Sequence, residues 1–94
     1  MNCIIYVRHS DDISLYTQFN KCAEYSKKHG YSISGKVFDF DGKHFHEAVN
    51  KVIADSSITV LMIYNKELVF PEYNDYLFYK IYCERLGKKL ISCN

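Results

Sequence analysis

Arginine is nearly absent from this chain of 94 residues: Arg8 and Arg85 are the only two, and every other basic residue is a lysine. Proteins that grip phosphate backbones usually show a clear basic excess. Here the formal net charge is +1, so the balance argues neither for nor against nucleic acid. Glycine is scarce, with four residues, and no GxGxxG or P-loop pattern occurs. A small-molecule site of the nucleotide or sugar-phosphate kind would therefore lack its usual phosphate-cradling loop. The cysteines, Cys3, Cys22, Cys83 and Cys93, show no CxxC or other metal-ligand spacing. No signal-like apolar run stands near the N-terminus, and nothing approaches the roughly 18 apolar residues of a membrane span. Free thiols in a reducing cytoplasm, with no membrane partner, are the expectation. Cys3 and Cys93 fall on apolar strand patterns, where a thiol reads as a small core hydrophobe.

The composition is 48% hydrophobic, which excludes a disordered chain. The length suits one domain, residues 1–94. A domain of this size buries only about two-thirds of its unfolded surface. Cys3 to Val7 is a short continuous apolar run, suited to a strand covered on both faces. A helix is predicted from about Ser14 to His29, with Leu15, Phe19, Cys22, Ala23 and Ser26 inward. Asp11 and Asp12 precede it, Lys27 and Lys28 close it, and Gly30 stops it. Residues 31–40 alternate as a second strand. Phe45, Ala48, Val49, Val52 and Ile53 mark one face of a second helix, and residues 58–64 form the clearest strand. Residues 65–70 read as a loop, with Pro71 in the first turn of a third helix reaching Leu86. A fourth strand follows at residues 89–93.

The order βαβαβαβ predicts an α/β fold: a single small, open, mainly parallel four-stranded sheet with helices on both faces. Ligands of such sheets sit beyond the carboxyl ends of the strands. Residues 8–13 and 65–71 are thus the candidate site.

The first of these loops carries Tyr6-Val7-Arg8-His9-Ser10. A short apolar strand followed by Tyr-x-Arg-x-Ser near the N-terminus resembles the signature of the serine recombinases, the resolvase/invertase family. Ser14-Leu15-x-x-Gln18, the helix end Tyr25-x-Lys-Lys-His29-Gly30-Tyr31 and the later elements fall at that family's spacing, over nearly the whole chain. The resemblance implies a resolvase catalytic-domain-like fold. It implies chemistry in which Ser10 attacks a DNA phosphodiester and holds the broken end as a phosphoserine, in site-specific strand exchange on mobile elements. Arg8 matches an arginine on the reacting phosphate, and Gln18 matches a polar support of the pocket. No metal or other cofactor is implied; cationic side chains do the electrostatic work.

The second loop departs from the pattern. Where the family usually has Asp-Arg-x-x-Arg, this chain has Glu67-Leu68-Val69-Phe70-Pro71. Glu67 keeps the carboxylate, while Leu68 and Pro71 replace both arginines. A further arginine expected near the second helix is absent, with His44 and His46 nearby. Each lost transition-state charge contact costs about 3 kcal/mol, roughly a hundredfold in rate. Lys66 restores charge but lacks the planar guanidinium fork. Asp11 and Asp12 either oppose an incoming phosphate beside Ser10 or simply cap the helix. The chain closes at Asn94, read as its natural end, without the family's long dimerisation helix or DNA-binding domain.

Three functions follow. The first is a recombinase-like domain with catalysis lost or impaired and a residual binding or regulatory role, pairing with itself or with an intact recombinase. The second is an active catalytic module completed by another chain. The third is a small-molecule-binding α/β domain. DNA is a partner by resemblance alone. Tyr73, Tyr76, Tyr79 and Tyr82 leave the third helix little polar face. They either pack within the domain or bind a partner. His44 and His46 with Asp41 read as solvated turn residues, since alternate spacing suits no single helix face, and no metal is expected.

Overall fold

The computed structural model describes residues 1–94. The element order is β1 (Asn2–Arg8), α1 (Leu15–Lys28), β2 (Ser32–Asp39), α2 (Phe45–Ala54), β3 (Ile58–Ile63), α3 (Lys66–Val69), α4 (Tyr73–Arg85) and β4 (Lys89–Ser92). The strands form one sheet in the order β2-β1-β3-β4, and every pairing is parallel. The apolar runs of β1 and β3 make the two central strands, and both are buried nearly throughout. β2 is an edge strand whose first half is exposed, which is why its sequence alternates. No helix is long and apolar enough to cross a membrane.

Alternation along β1 divides the core. Ile4 and Tyr6 face the larger cluster, with Phe45, Val49 and Val52 of α2 and Cys83 of α4. Cys3, Ile5 and Val7 face the other, with Cys22 of α1 and Val60 and Met62 of β3. Helices therefore cover both faces, as the sequence pattern predicts. The chain runs from β1 outward to β2, then crosses back to β3 and β4. The switch point lies between β1 and β3, and the crevice beyond their carboxyl ends is where such sheets bind ligands.

Local chemistry explains most boundaries and corrects several expectations. Ser14 caps α1, its hydroxyl accepting from the Thr17 N–H at 3.1 Å. Asp11 and Asp12 lie ahead of the cap, and no acidic residue occupies the first turn; they do not cap the helix. Gly30, at φ +77°, takes the left-handed conformation that ends it. The fully buried stripe of α1 is Gln18, Cys22 and Ser26, while Leu15, Phe19 and Ala23 sit only half-buried beside it. The expected loop at residues 65–70 contains the single turn α3. Asn65 caps it by accepting from the N–H groups of Glu67 and Leu68. Pro71 is consequently not in the first turn of the long helix; it lies in the bend between α3 and α4. Cys93 falls just beyond β4 and is only partly buried, packing against the edge of the core rather than within it.

Candidate functional site

The carboxyl end of β1 delivers Arg8 to the switch point. Its guanidinium turns inward: Nε donates to the Tyr6 hydroxyl at 3.0 Å, and Nη1 donates to the Val69 carbonyl of α3 at 3.0 Å. Tyr6 in turn donates to Asp39 at the end of β2. Asp39 is completely buried and also accepts from the backbone N–H groups of Gly42 (2.8 Å) and His44 (2.9 Å). Gly42 has φ +76°, the turn geometry that brings this N–H onto the carboxylate. One network thus joins the ends of β1, β2 and the segment after β3.

The electrostatics follow from this network. Burial first, then the hydrogen bond to Asp39, pushes the Tyr6 phenol well above its usual range, with Arg8 opposing. Burial alone would raise Asp39; the donors Tyr6, His44 N–H and Gly42 N–H outweigh it and hold the carboxyl below its ordinary value. The result is a neutral phenol clamped between a carboxylate and a guanidinium.

Gln18 supports the loop between β1 and α1 from beneath. Its Nε2 donates to the Arg8 carbonyl (2.6 Å) and the Ile13 carbonyl (3.2 Å), and its Oε1 accepts from the Arg8 N–H at 3.3 Å. A buried amide satisfied in this way fixes the path of residues 8–13. Ser10 rides on that loop. Its hydroxyl accepts from the Asp12 N–H at 3.2 Å and makes no hydrogen bond with a basic side chain.

A cleft of about 500 Å³ opens beside Arg8, with Lys43, His46 and Asp75 as its other charged or titratable walls and Phe45, Phe78 and Tyr79 among its apolar ones. Ser10 does not line it. Neither do Lys66 and Glu67, which face a separate small recess with Phe70, Pro71, Tyr73 and Tyr76. Lys66 Nζ lies 3.9 Å from Glu67 and over the Tyr76 ring. The structure thus joins Arg8 to Gln18 and, through the loop, to Ser10, and leaves Lys66 and Glu67 apart from them. Leu68 packs partly against the core.

The tyrosines of α4 divide. Tyr76 and Tyr79 pack against the core, Tyr79 meeting Phe45 and Phe70 ring to ring. Tyr73 and Tyr82 are exposed, together with Phe78 and Ile81.

His44 and His46 do not converge. His44 bridges Asp41 (3.2 Å) and Glu47 (3.1 Å), and His46 turns to the cleft. Asp39, Asp41 and His44 do bring potential ligand atoms within 4.8 Å of one another. The Asp39 oxygens are already engaged by Tyr6 and two N–H groups, so this donor set suits the turn better than an ion.

Sequence reading missed Tyr6, Asp39, Lys43 and the Val69 carbonyl. Tyr6 stands in the Tyr-x-Arg-x-Ser signature, but its place in an apolar run gives no sign of its hydrogen bonds to Asp39 and Arg8. Asp39 was legible only as the last residue of a strand before an Asp-Gly turn.

No family model matches the chain, and no curated protein matches it by sequence. Solved structures do match. The N-terminal catalytic domain of TP901-1 integrase aligns with a TM-score of 0.79 and 22% identity, over 100% of this chain and 78% of that one. The C-terminal catalytic domain of ISC1926 TnpA, an IS607-like serine recombinase, aligns with a TM-score of 0.77 and 21% identity, over 100% and 70%. The C-terminal catalytic domain of IS1535 TnpA, also an IS607-like serine recombinase, gives 0.68 and 13%, over 96% and 69%. The fold is that of serine recombinase catalytic domains, as the Tyr-x-Arg-x-Ser loop led us to expect.

Proposed function

We propose that this chain, built on a serine recombinase catalytic-domain fold, is a recombinase-like domain that has kept the phosphate-facing end of β1 while strand-exchange catalysis is lost or impaired. Its remaining role is binding: DNA at the Arg8 cleft, and a second copy or an intact recombinase along α4. The observation that carries this reading is the position of Arg8. It is the only guanidinium at the switch point, and two of its donors are held by Tyr6 and Val69. A pentavalent phosphate needs several cationic donors aimed at its equatorial oxygens. Leu68 and Pro71 supply none.

Ser10 in this reading is the retained nucleophile position, Arg8 the phosphate contact and Gln18 the support of their loop. Glu67 and Lys66, turned toward their own recess, contribute least. The exposed side of α4, with Tyr73, Phe78 and Tyr82, supplies the partner surface.

A second reading is favoured by Lys43 and His46. They line the same cleft as Arg8, so a partner chain that adds arginines would complete an active module there. A covalent trap separates the two. The protein is incubated with a nicked suicide DNA site, with and without an intact recombinase, and probed for a Ser10-dependent adduct. No adduct in either arm supports the impaired domain. An adduct only with the partner supports completion, and an adduct from the chain alone defeats the proposal.

A further inference from the structure

On the opposite face of the sheet from Tyr6, two thiols that are 71 residues apart in sequence meet. Cys22 Sγ on α1 lies 3.4 Å from Cys93 Sγ, just beyond β4. Neither spacing nor motif announced the pair. Cys22 is fully buried. Cys93 is half-exposed and opens onto a cleft of about 370 Å³, walled also by Lys21, Glu24, Tyr25, Lys28 and Tyr64. We propose that Cys93 and Cys22 form a redox-active dithiol, in which Cys93 takes up a small anionic disulfide of the glutathione type and Cys22 closes the bond.

The geometry assigns the roles. Cys93 is the thiol an oxidant reaches from solvent, and Cys22 stands directly behind it. Either sulfur can donate in this contact, and Cys93 Sγ also donates to the Tyr64 carbonyl at 3.5 Å. The contact lowers the Cys93 thiol, whereas the same contact and burial raise Cys22. Lys21 and Lys28 outnumber the one acidic side chain, Glu24, on walls that Asn94 completes, and this basic excess draws an anionic reagent. The remaining thiols differ. Cys3 is buried against Ser26 and Cys83 is the buried residue of α4, and burial raises both.

The chemistry balances as thiol–disulfide exchange. The Cys93 thiolate attacks one sulfur of glutathione disulfide, the S–S bond breaks, and the first glutathione leaves as thiolate and takes up a proton. Cys22 then loses its proton, and its thiolate attacks the Cys93 sulfur of the mixed disulfide. The second glutathione leaves and is protonated. Two protein thiols are oxidised and one glutathione disulfide is reduced. A disulfide bond is about 2.05 Å long, so the two sulfurs must approach from their present 3.4 Å contact. The product ties α1 to the segment after β4. Cys22 stands one turn from Gln18 on the same buried stripe, so the bond anchors the helix that holds the Arg8 carbonyl.

The test treats the reduced protein with glutathione disulfide and maps thiols by peptide mass spectrometry. The expected product is a Cys22–Cys93 disulfide with Cys3 and Cys83 free. The Cys22→Ser variant, checked for native circular dichroism, should instead accumulate a stable glutathione adduct on Cys93. Cys93→Ser should give no adduct. Lys21→Ala with Lys28→Ala should slow the reaction roughly three- to tenfold with glutathione disulfide and leave that with uncharged hydroxyethyl disulfide unchanged. If Cys22→Ser fails to fold, pulsed alkylation of the wild type must show Cys93 reacting ahead of the other thiols. A persistent Cys93 adduct in the wild type, or Cys3 or Cys83 oxidised as fast as Cys93, overturns the proposal. Equal slowing with both reagents overturns the part played by the lysines.

Discussion

Arg8, at the end of β1, donates from Nη1 to the carbonyl of Val69 on the one-turn helix after β3, 3.0 Å away. The contact closes the switch point between the two central strands from above. It makes the guanidinium a structural clasp as well as the one arginine available to a ligand there. That double engagement separates this cleft from one built only to hold phosphate.

Removing the Tyr6 hydroxyl should expose how far the site is part of the fold. Tyr6→Phe takes a donor from buried Asp39 and an acceptor from Arg8 Nε. A hydrogen bond to a buried charged group contributes about 2 kcal/mol. For a domain of this length that is a fall of roughly 10 °C in Tm, read by thermal unfolding. The same variant frees Arg8, so its affinity for DNA should hold or rise while stability falls.

Stability should also depend on pH in a way that names its residues. The folded pKa of Asp39 is depressed, so the unfolded chain takes up a proton first as pH falls. Its contribution is complete above the unfolded value of about 4 and is lost as pH falls through the folded one. Asp55, held down by Ser57, adds to the same limb. His44 has the opposite sign. Its pKa is raised by the hydrogen bond with Glu47 and by Asp41. Its contribution is complete below about pH 6.5 and fades as pH rises through the folded value. Denaturant midpoints should therefore be highest at about pH 5–6. Asp39→Asn should flatten the acid limb and His44→Gln the alkaline one.

Much of this fold was legible because periodicity is read from side chains that face the core. The continuous apolar run of β1, the run at residues 58–64 and the face Phe45, Ala48, Val49, Val52 all appear where the pattern placed them. The failures have physical causes. Pro71 looked like a helix start because its φ suits a first turn, yet the Asn65 cap wins the preceding residues for a separate turn. Gln18 was read as a polar support by resemblance, but nothing in its spacing says that it is buried. Its place in the core is earned by three hydrogen bonds to backbone that no local pattern encodes. Tyr6 and Asp39 meet across strands, and Lys43 lines the Arg8 cleft from beyond β2. Pairings of that kind exist only once the sheet is assembled.

Gln18→Ala should act on the loop more than on the helix. Two carbonyls and one N–H lose their partner, at a cost of about 2–3 kcal/mol. Hydrogen exchange should quicken chiefly across residues 8–13, with the centre of α1 little changed. Uniform quickening over the whole domain would mean that the amide supports only global stability.

The exposed side of α4 gives a test of the binding role. Phe78 and Ile81 are 62% and 49% exposed, so Phe78→Ser with Ile81→Ser should change stability by no more than about 0.5 kcal/mol per site. If α4 is the partner surface, the double variant should sediment as a smaller species than the wild type at equal concentration. Unchanged sedimentation of an associating wild type would remove α4 from that role.

The most direct measurement is the rate of Ser10-linked adduct formation on a nicked DNA site, comparing the wild type alone, Ser10→Ala, and a variant with arginine restored by Leu68→Arg and Pro71→Arg. The shortage of guanidinium groups predicts a wild-type rate at the Ser10→Ala background and a gain on restoration of roughly a hundredfold for each arginine that reaches the phosphate. A wild-type chain that alone forms the adduct rapidly, with no gain from restored arginines, would contradict it.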